Sequence, residues 1–162
     1  MSSKSYIGSP NGVVICLDRV AGHRLTGRLY HRYSSHAAPF FSEEQVVFLM
    51  EELFNSLHFP HPSTNDRTFF AHQKSNFSIV QEIVMRDEEL LSKHGDLGTF
   101  IIRVQHRQNS SWQGTVTWME EDKTIQFRSI WEMIKLIEGA MDSKGPRESG
   151  EVRTLLWKEM GE

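Results

Sequence analysis

The fold is decided by the stretch Ser111-Trp112-Gln113-Gly114-Thr115-Val116-Thr117-Trp118 and by the run FRSIWEMIKLI that follows it at 127–137. The first stretch alternates large or apolar residues with polar ones, a period of two that is typical of a half-buried strand. In the second, apolar residues recur at helical spacing as far as Met141. Ser129 precedes them as the N-cap, and Glu132 completes a capping box. We therefore predict a strand, a turn and a capped helix, in this order.

The same pattern occurs a second time, 87 residues earlier, without a gap. Gly27 aligns with Gly114, Phe40 with Phe127, and Ser42 with Ser129. The apolar positions of two strands and one helix align as well, although few residues are identical. This offset predicts an internal ββα repeat at 13–57 and 100–144.

The predicted fold class is α+β. Two ββα half-repeats form one antiparallel sheet with their helices packed on one face, and a connecting helix at 77–93 joins the halves. The length of 162 residues suits a single domain, which we place at 1–142. Residues 143–162 are predicted to be a flexible linker followed by a short apolar C-terminal segment that contains Trp157.

The predicted strands are 13–20, 24–33, 99–107 and 111–119, with a candidate short extension at 124–127. The predicted helices are 43–57, 77–93 and 130–141, and a strand is the alternative for the β-branched start of 77–93. Each predicted helix of the repeat starts after a serine, and residues 34–39 are predicted to be a loop. The side chains expected in the core are Ile15, Leu17, Leu29, Val47, Met50, Ile102, Val104, Val116, Ile134 and Ile137.

The composition restricts the classes of protein without identifying one. The formal net charge is −3, and a single cysteine, Cys16, excludes an internal disulfide. No run approaches the roughly 18 apolar residues of a membrane span, and the first residues lack the apolar core of a signal peptide. We therefore expect a soluble, cytoplasmic protein without a membrane partner.

Searches for catalytic motifs yield no catalytic residue and no cofactor. There is no phosphate-binding glycine loop and no Gly-x-Ser-x-Gly elbow, and Cys16 has no local protease signature. His58 and His61 are flanked by prolines without a nearby cysteine or carboxylate, so a surface loop is favoured over a metal site. An enzyme that uses arginine and histidine at the hairpin ends is supported by residue types alone.

One sheet face is the candidate binding surface. This face points away from the predicted helices, and its mixture of polar and apolar side chains is expected to be too polar to pack as a second core layer. Arginine and tyrosine are favoured where binding energy concentrates. The predicted ligand- or partner-binding residues are Arg28, Tyr30, Arg32, Arg103, Gln105, Arg107 and, from the tail, Trp157.

These observations predict a non-catalytic binding or interaction module, with a protein partner or a second copy of the chain. The alternative is nucleic-acid binding by the basic hairpin face, where Arg28, Tyr30 and Arg32 combine charge with an aromatic ring. The negative net charge disfavours this alternative. The Trp112-Gln113-Gly114 hairpin with the 127–129 helix start resembles a recurrent module of small bacterial proteins, a resemblance that implies neither a family nor an activity.

Overall fold

The computed structural model describes residues 7–63, 67–70 and 81–144 and has an α+β architecture. Within these ranges the elements are β1 (Val13–Ala21), β2 (Arg24–Tyr30), β3 (Ala38–Phe40), α1 (Glu43–Leu57), α2 (Asp87–Leu91), β4 (Gly98–His106), β5 (Gln113–Trp118), β6 (Lys123–Phe127) and α3 (Ile130–Lys144). These six strands form one antiparallel sheet in the order β3-β2-β1-β4-β5-β6, so the two longest strands, β1 and β4, lie at its centre.

The main core lies between the sheet and the helices α1 and α3, which cover the same face. Helix α1 contacts β2 and β3, and α3 contacts β5 and β6. Met50 and Phe54 of α1 and Met133 of α3 are completely buried there against the apolar side chains of β1 and β4. Burial of this apolar surface is the main stabilising contribution to the fold.

Gly27 and Gly114 lie where the backbone of the neighbouring strand is closest. Gly27 is paired with Leu17 and Phe40, and Gly114 with Val104 and Phe127. A Cβ atom added to Gly27 would lie 2.0 Å from the carbonyl oxygen of Cys16, and one added to Gly114 would lie 1.9 Å from that of Arg103. Glycine is required at both positions because no side chain fits.

Each of the two long helices begins with the serine cap that its sequence predicts. The Ser42 hydroxyl accepts a hydrogen bond from Gln45 N, and the Ser129 hydroxyl accepts one from Glu132 N. In return, the side chains of Gln45 and Glu132 accept from the backbone N–H groups just before the serines, those of Phe41 and Arg128. These bonds satisfy donors that a helix N-terminus otherwise leaves unpaired.

The sheet has a third strand before each long helix, where the ββα prediction had only the extension at 124–127 before the second helix and no strand before the first. Ala38–Phe40 pairs with β2, although 34–39 was predicted as a loop, and Lys123–Phe127 pairs with β5. The first of these strands is only three residues long and contains Pro39. Proline is tolerated there because β3 is an edge strand, and so short a strand leaves no detectable alternation in the sequence.

The connecting helix predicted at 77–93 is largely wrong. Only Asp87–Leu91 is helical, residues 81–86 are not, and residues 77–80 lie outside the described part of the chain. The carboxylates that weaken the apolar stripe occupy the first turn of α2, where the helix dipole favours negative charge. Before it, Val84 N and Met85 N both donate to the carbonyl oxygen of Arg32, which attaches this segment to the sheet.

The second face of the sheet carries a small core of its own, so the expectation that this face is too polar for one is wrong. Val14 and Cys16 of β1 and Ile101 of β4 are fully buried under Ile7, Met85 and Leu90. Ile7 and the segment that contains Met85 and Leu90 therefore cover part of this face. The continuous apolar runs Val13–Leu17 and Phe100–Ile102 are typical of strands buried on both faces.

Most of the predicted core residues are buried as expected, with two exceptions on the helices. Val47 and Ile134 are only partly buried, whereas Val46 and Met133 occupy the inner positions. Met50 and Ile137 are buried as predicted, so Val47 and Ile134 lie at the edge of the buried side of their helices and not at its centre. Helix α3, predicted to end near Met141, continues to Lys144.

Candidate functional site

Arg28, the first predicted binding residue, is bound within the chain. Its guanidinium donates to both carboxylate oxygens of Asp18, at 2.9 and 3.0 Å, and to the backbone oxygen of His94 at 2.9 Å. A further bond of 2.9 Å reaches the Tyr30 hydroxyl. Asp18 lies at the β-bulge between Leu17 and Arg19, and this bulge directs its carboxylate towards Arg28.

This pairing shifts the pKa values of both groups so that the charged forms are favoured. The hydrogen bonds from Arg28 hold the pKa of Asp18 below its ordinary value, and a bond from the Asp96 backbone N–H acts in the same direction. The hydrogen bond to Asp18 raises the pKa of Arg28. Arg28 therefore anchors residues 94–96 to the sheet rather than presenting a free charge to an external ligand.

Tyr30 and Arg32 have similar internal roles. Tyr30 is 8% exposed, belongs to the second core, and has the Lys93 Nζ atom 5.2 Å from its ring centroid. Arg32 forms a bidentate ion pair with Asp87, with distances of 2.9 and 3.0 Å. These contacts fix the segment that leads into α2 over the sheet.

Cys16 lies in the second core and is not poised for chemistry. It is completely buried, and desolvation raises the pKa of its thiol to about 11. A thiol with this pKa is protonated at neutral pH, and the thiolate is the nucleophilic form. Cys16 thus has the properties of a small apolar core residue.

The part of the second face formed by β4, β5 and β6 has a different character, with hydroxyl and amide side chains around Arg103. Arg103 lies half-buried there, with one guanidinium nitrogen 3.5 Å from the Thr117 hydroxyl, which shares a 2.8 Å bond with Thr124. Gln105, at the second β-bulge, is exposed, as is Gln126. This area retains an open polar surface on which Arg103 is the cationic group.

Arg107 does not share the face on which the alternation of β4 placed it. The bulge between Val104 and His106 reverses the alternation, so Arg107 lies on the helix side and is only 6% exposed. It donates to Pro60 O at 2.6 Å and to the Asn55 Oδ1 atom at 2.7 Å, and its guanidinium lies 5.8 Å from the Phe54 ring centroid. Arg107 connects the end of α1 to the second half of the sheet.

Two further sequence predictions concern the tail and the metal pattern. Trp157, predicted to bind a partner, lies outside the described residues. Within 7–63, 67–70 and 81–144, no three histidine, cysteine or carboxylate side chains are close enough together to hold a metal ion. In the same ranges, no helix is long and apolar enough to cross a membrane.

The helix layer exposes aromatic side chains that are not among the binding residues predicted from the sequence. Phe48 on α1 is 64% exposed, Phe41 just before the Ser42 cap is 58% exposed, and Trp131 on α3 is 65% exposed. The Lys135 Nζ atom lies 5.2 Å from the Trp131 ring centroid. Phe48 and Trp131 lie half a turn away from the buried side of their helices, as their spacing relative to the apolar stripe indicates.

Comparisons with known proteins provide no homologue, because no protein-family model, curated protein or solved structure matches the chain.

Proposed function

We propose that this chain is a non-catalytic binding module that acts through contact with a protein partner or with a second copy of itself. The observation that carries the proposal is the outer surface of the helix layer, where Phe41, Phe48 and Trp131 expose more than half of their side chains. Aromatic residues at a surface are enriched where protein interfaces concentrate their binding energy.

The contacts of the arginines predicted as binding residues support a structural role for them rather than a catalytic one. Arg28 is paired with Asp18, Arg32 with Asp87, and Arg107 is buried at the end of α1. From the predicted sheet face, we retain Arg103 and Gln105 as a secondary contact surface, because they lie on its open part. Nucleic-acid binding gains no support, since carboxylates already neutralise Arg28 and Arg32.

We also propose that the scaffold consists of two βββα halves related by an internal repeat. Three features recur at an offset of 87 residues: the bulges after Leu17 and Val104, the close-packed glycines, and the serine caps of two 15-residue helices. The pairing of β1 with β4 is also consistent with a twofold relation. Shifting each strand by this offset maps the pair Val14 and Ile101 onto itself.

Site-specific photo-crosslinking in the organism that encodes the chain tests the function. A photoreactive residue replaces Phe48 on the helix layer, Gln105 on the open sheet face or, as a control, Glu88 on the exposed side of α2. We expect a discrete product, with its protein identified by mass spectrometry, from Phe48 and none from Glu88. A product from Gln105 alone would move the site to the sheet, and no product from any position would contradict a protein-binding role.

Binding to RNA or DNA is the competing outcome. Tight, salt-dependent binding to a nucleic acid that is lost in Arg103→Glu would replace the protein-binding proposal.

A further inference from the structure

Helices α1 and α3 present matching exposed stripes of opposite character. The first stripe consists of position 41, just before the cap of α1, and of 44, 48, 52 and 55 on the helix. The second consists of position 128, just before the cap of α3, and of 131, 135, 139 and 142, with the same spacing. The side chains of the first are Phe41, Glu44, Phe48, Glu52 and Asn55. Those of the second are Arg128, Trp131, Lys135, Gly139 and Asp142, and the structure describes all ten residues as exposed.

The charges on the two stripes are complementary. Helix α1 contains four glutamates and no basic residue, and two of the glutamates, Glu44 and Glu52, lie on its stripe. The α3 stripe contributes Arg128 and Lys135 beside Trp131, and its one carboxylate, Asp142, lies at its C-terminal end. Arg128 already forms an ion pair of 2.9 Å with Glu132 of its own helix, so Lys135 is the clearer partner for an external carboxylate.

The shapes of the two stripes are complementary as well. Two phenyl rings protrude from the first stripe, Phe41 before the cap of α1 and Phe48 on the helix, whereas Gly139 leaves the α3 stripe without a side chain at one position. A Cβ atom added to Gly139 would meet nothing within 4 Å, so packing within the described chain does not require glycine there. The space left at Gly139 is suited to an aromatic ring from another molecule.

We infer that α1 of one copy docks against α3 of a second copy, which names the partner and rests on the function proposed above. Contact between two α1 stripes would oppose carboxylates to carboxylates, and contact between two α3 stripes would oppose Lys135 to Lys135. The α1–α3 pairing brings Glu44 and Glu52 towards Lys135 and the phenyl rings towards Trp131 and Gly139. Because both helices lie on one layer, a twofold axis makes this contact twice and closes a dimer.

Charge reversal in the full-length chain tests the inference. Light scattering and sedimentation should give a mass near twice 18.8 kDa for the unaltered chain at sufficient concentration. In Glu44→Lys with Glu52→Lys, we expect the dissociation constant to rise by about tenfold or more, because like charges then face each other. Adding Lys135→Glu to this variant should restore much of the lost affinity.

A matched control carries the same change in net charge on the opposite side of the sheet. Glu82→Lys with Glu88→Lys alters two exposed residues of the segment around α2 and should leave dimerisation within about twofold of the unaltered chain. Circular dichroism and thermal unfolding establish that every variant is folded.

The outcomes separate this inference from the proposed function. A chain that stays monomeric into the hundreds of micromolar, or a dimer that is weakened equally by the control and α1 variants, would overturn the inference. If Phe48 then crosslinks to a different protein, the binding function stands with another partner. Loss of the dimer on α1 reversal together with recovery on Lys135→Glu supports the inference directly.

Discussion

The folded state stabilises the ionised form of Asp18, because Arg28 and the Asp96 backbone N–H both donate to its carboxylate. These bonds hold the pKa of Asp18 below its unfolded value of about 3.9. A group whose pKa is lowered on folding contributes stability above its unfolded pKa, and this stability is lost as the pH falls through the folded pKa. The contribution is therefore present at neutral pH and declines in acid.

Replacing Asp18 by Asn should lower the free energy of unfolding at pH 7 and weaken its dependence on pH between about 5 and 2. Urea unfolding of both proteins across this range measures the difference. Glu82→Gln, which alters an exposed carboxylate in the segment before α2, is the control. If the pH profile of Asp18→Asn parallels that of the unaltered chain, the ion pair contributes no pH-dependent stability.

Substitution by alanine is expected to have opposite effects on stability at two of the glycines. Gly114→Ala places a methyl group against the Arg103 carbonyl, so we expect a loss of about 1–3 kcal/mol in the free energy of unfolding, because the strands must separate to accommodate it. Gly139→Ala meets open space on a helix and should gain about 0.5–1 kcal/mol. Chemical denaturation of both variants is the measurement, and a neutral Gly114→Ala would contradict the close approach.

Single residues also show where sequence reasoning fails. The alternation of β4 assigned Arg107 to the sheet face, but one bulge residue reversed it, and no pattern in the sequence marks that bulge. Val47 and Ile134 were assigned to the core because they are apolar at helical spacing, although neighbours one residue away face inward. Periodicity locates an apolar side of a helix only to within about one residue, or 100° of rotation.

At the scale of elements, the long strands and capped helices follow directly from sequence, because their signals are local. Alternation predicted β1, β2, β4 and β5, and Ser42 and Ser129 marked the starts of α1 and α3. The short strand β3 was missed, and the helix predicted at 77–93 is reduced to the five residues of α2 in the part of it that the structure describes. Both owe their conformation to contacts with distant residues, such as the bonds between residues 84–85 and Arg32.

The inner side of α3 provides a paired test of helix orientation. Ile137 is 3% exposed, whereas Ile134 is only partly buried. Ile137→Ala should cost about 2–5 kcal/mol through lost burial and a residual cavity, and Ile134→Ala should cost clearly less. Equilibrium unfolding of the two variants measures both values, and equal losses would mean that the helix is rotated from the orientation described.

On the scale of the whole molecule, the sequence predicted one sheet with a helix layer but not the second core on the other face. Val14, Cys16 and Ile101 are apolar positions of β1 and β4 that the analysis assigned to a mixed, solvated face. They are buried because Met85 and Leu90 lie over them. The covering segment has no strong pattern of its own, so its position could not be read from its residues.

The central pairing of β1 with β4 predicts that the described body unfolds as one unit. Both strands are buried on both faces. Their pairing joins the strands β1 to β3 to the strands β4 to β6. Phe54 of α1 also packs edge-on against Trp112, with ring centroids 5.2 Å apart, so the first helix contacts the second half of the sheet. Separating the halves would expose both cores at once.

Native-state hydrogen exchange measures this coupling. We expect the amides of β1 and β4 to exchange slowest and with the same free energy of opening, equal to that of global unfolding, whereas the edge strands β3 and β6 exchange faster. Leu90→Ala should lower the protection of β1 and β4 together, because its side chain covers both strands from the second face. If β4, β5 and α3 instead lost protection at a lower free energy than β1, the second half would open independently. The pairing of β1 with β4 would then be a boundary between two folding units rather than the centre of one.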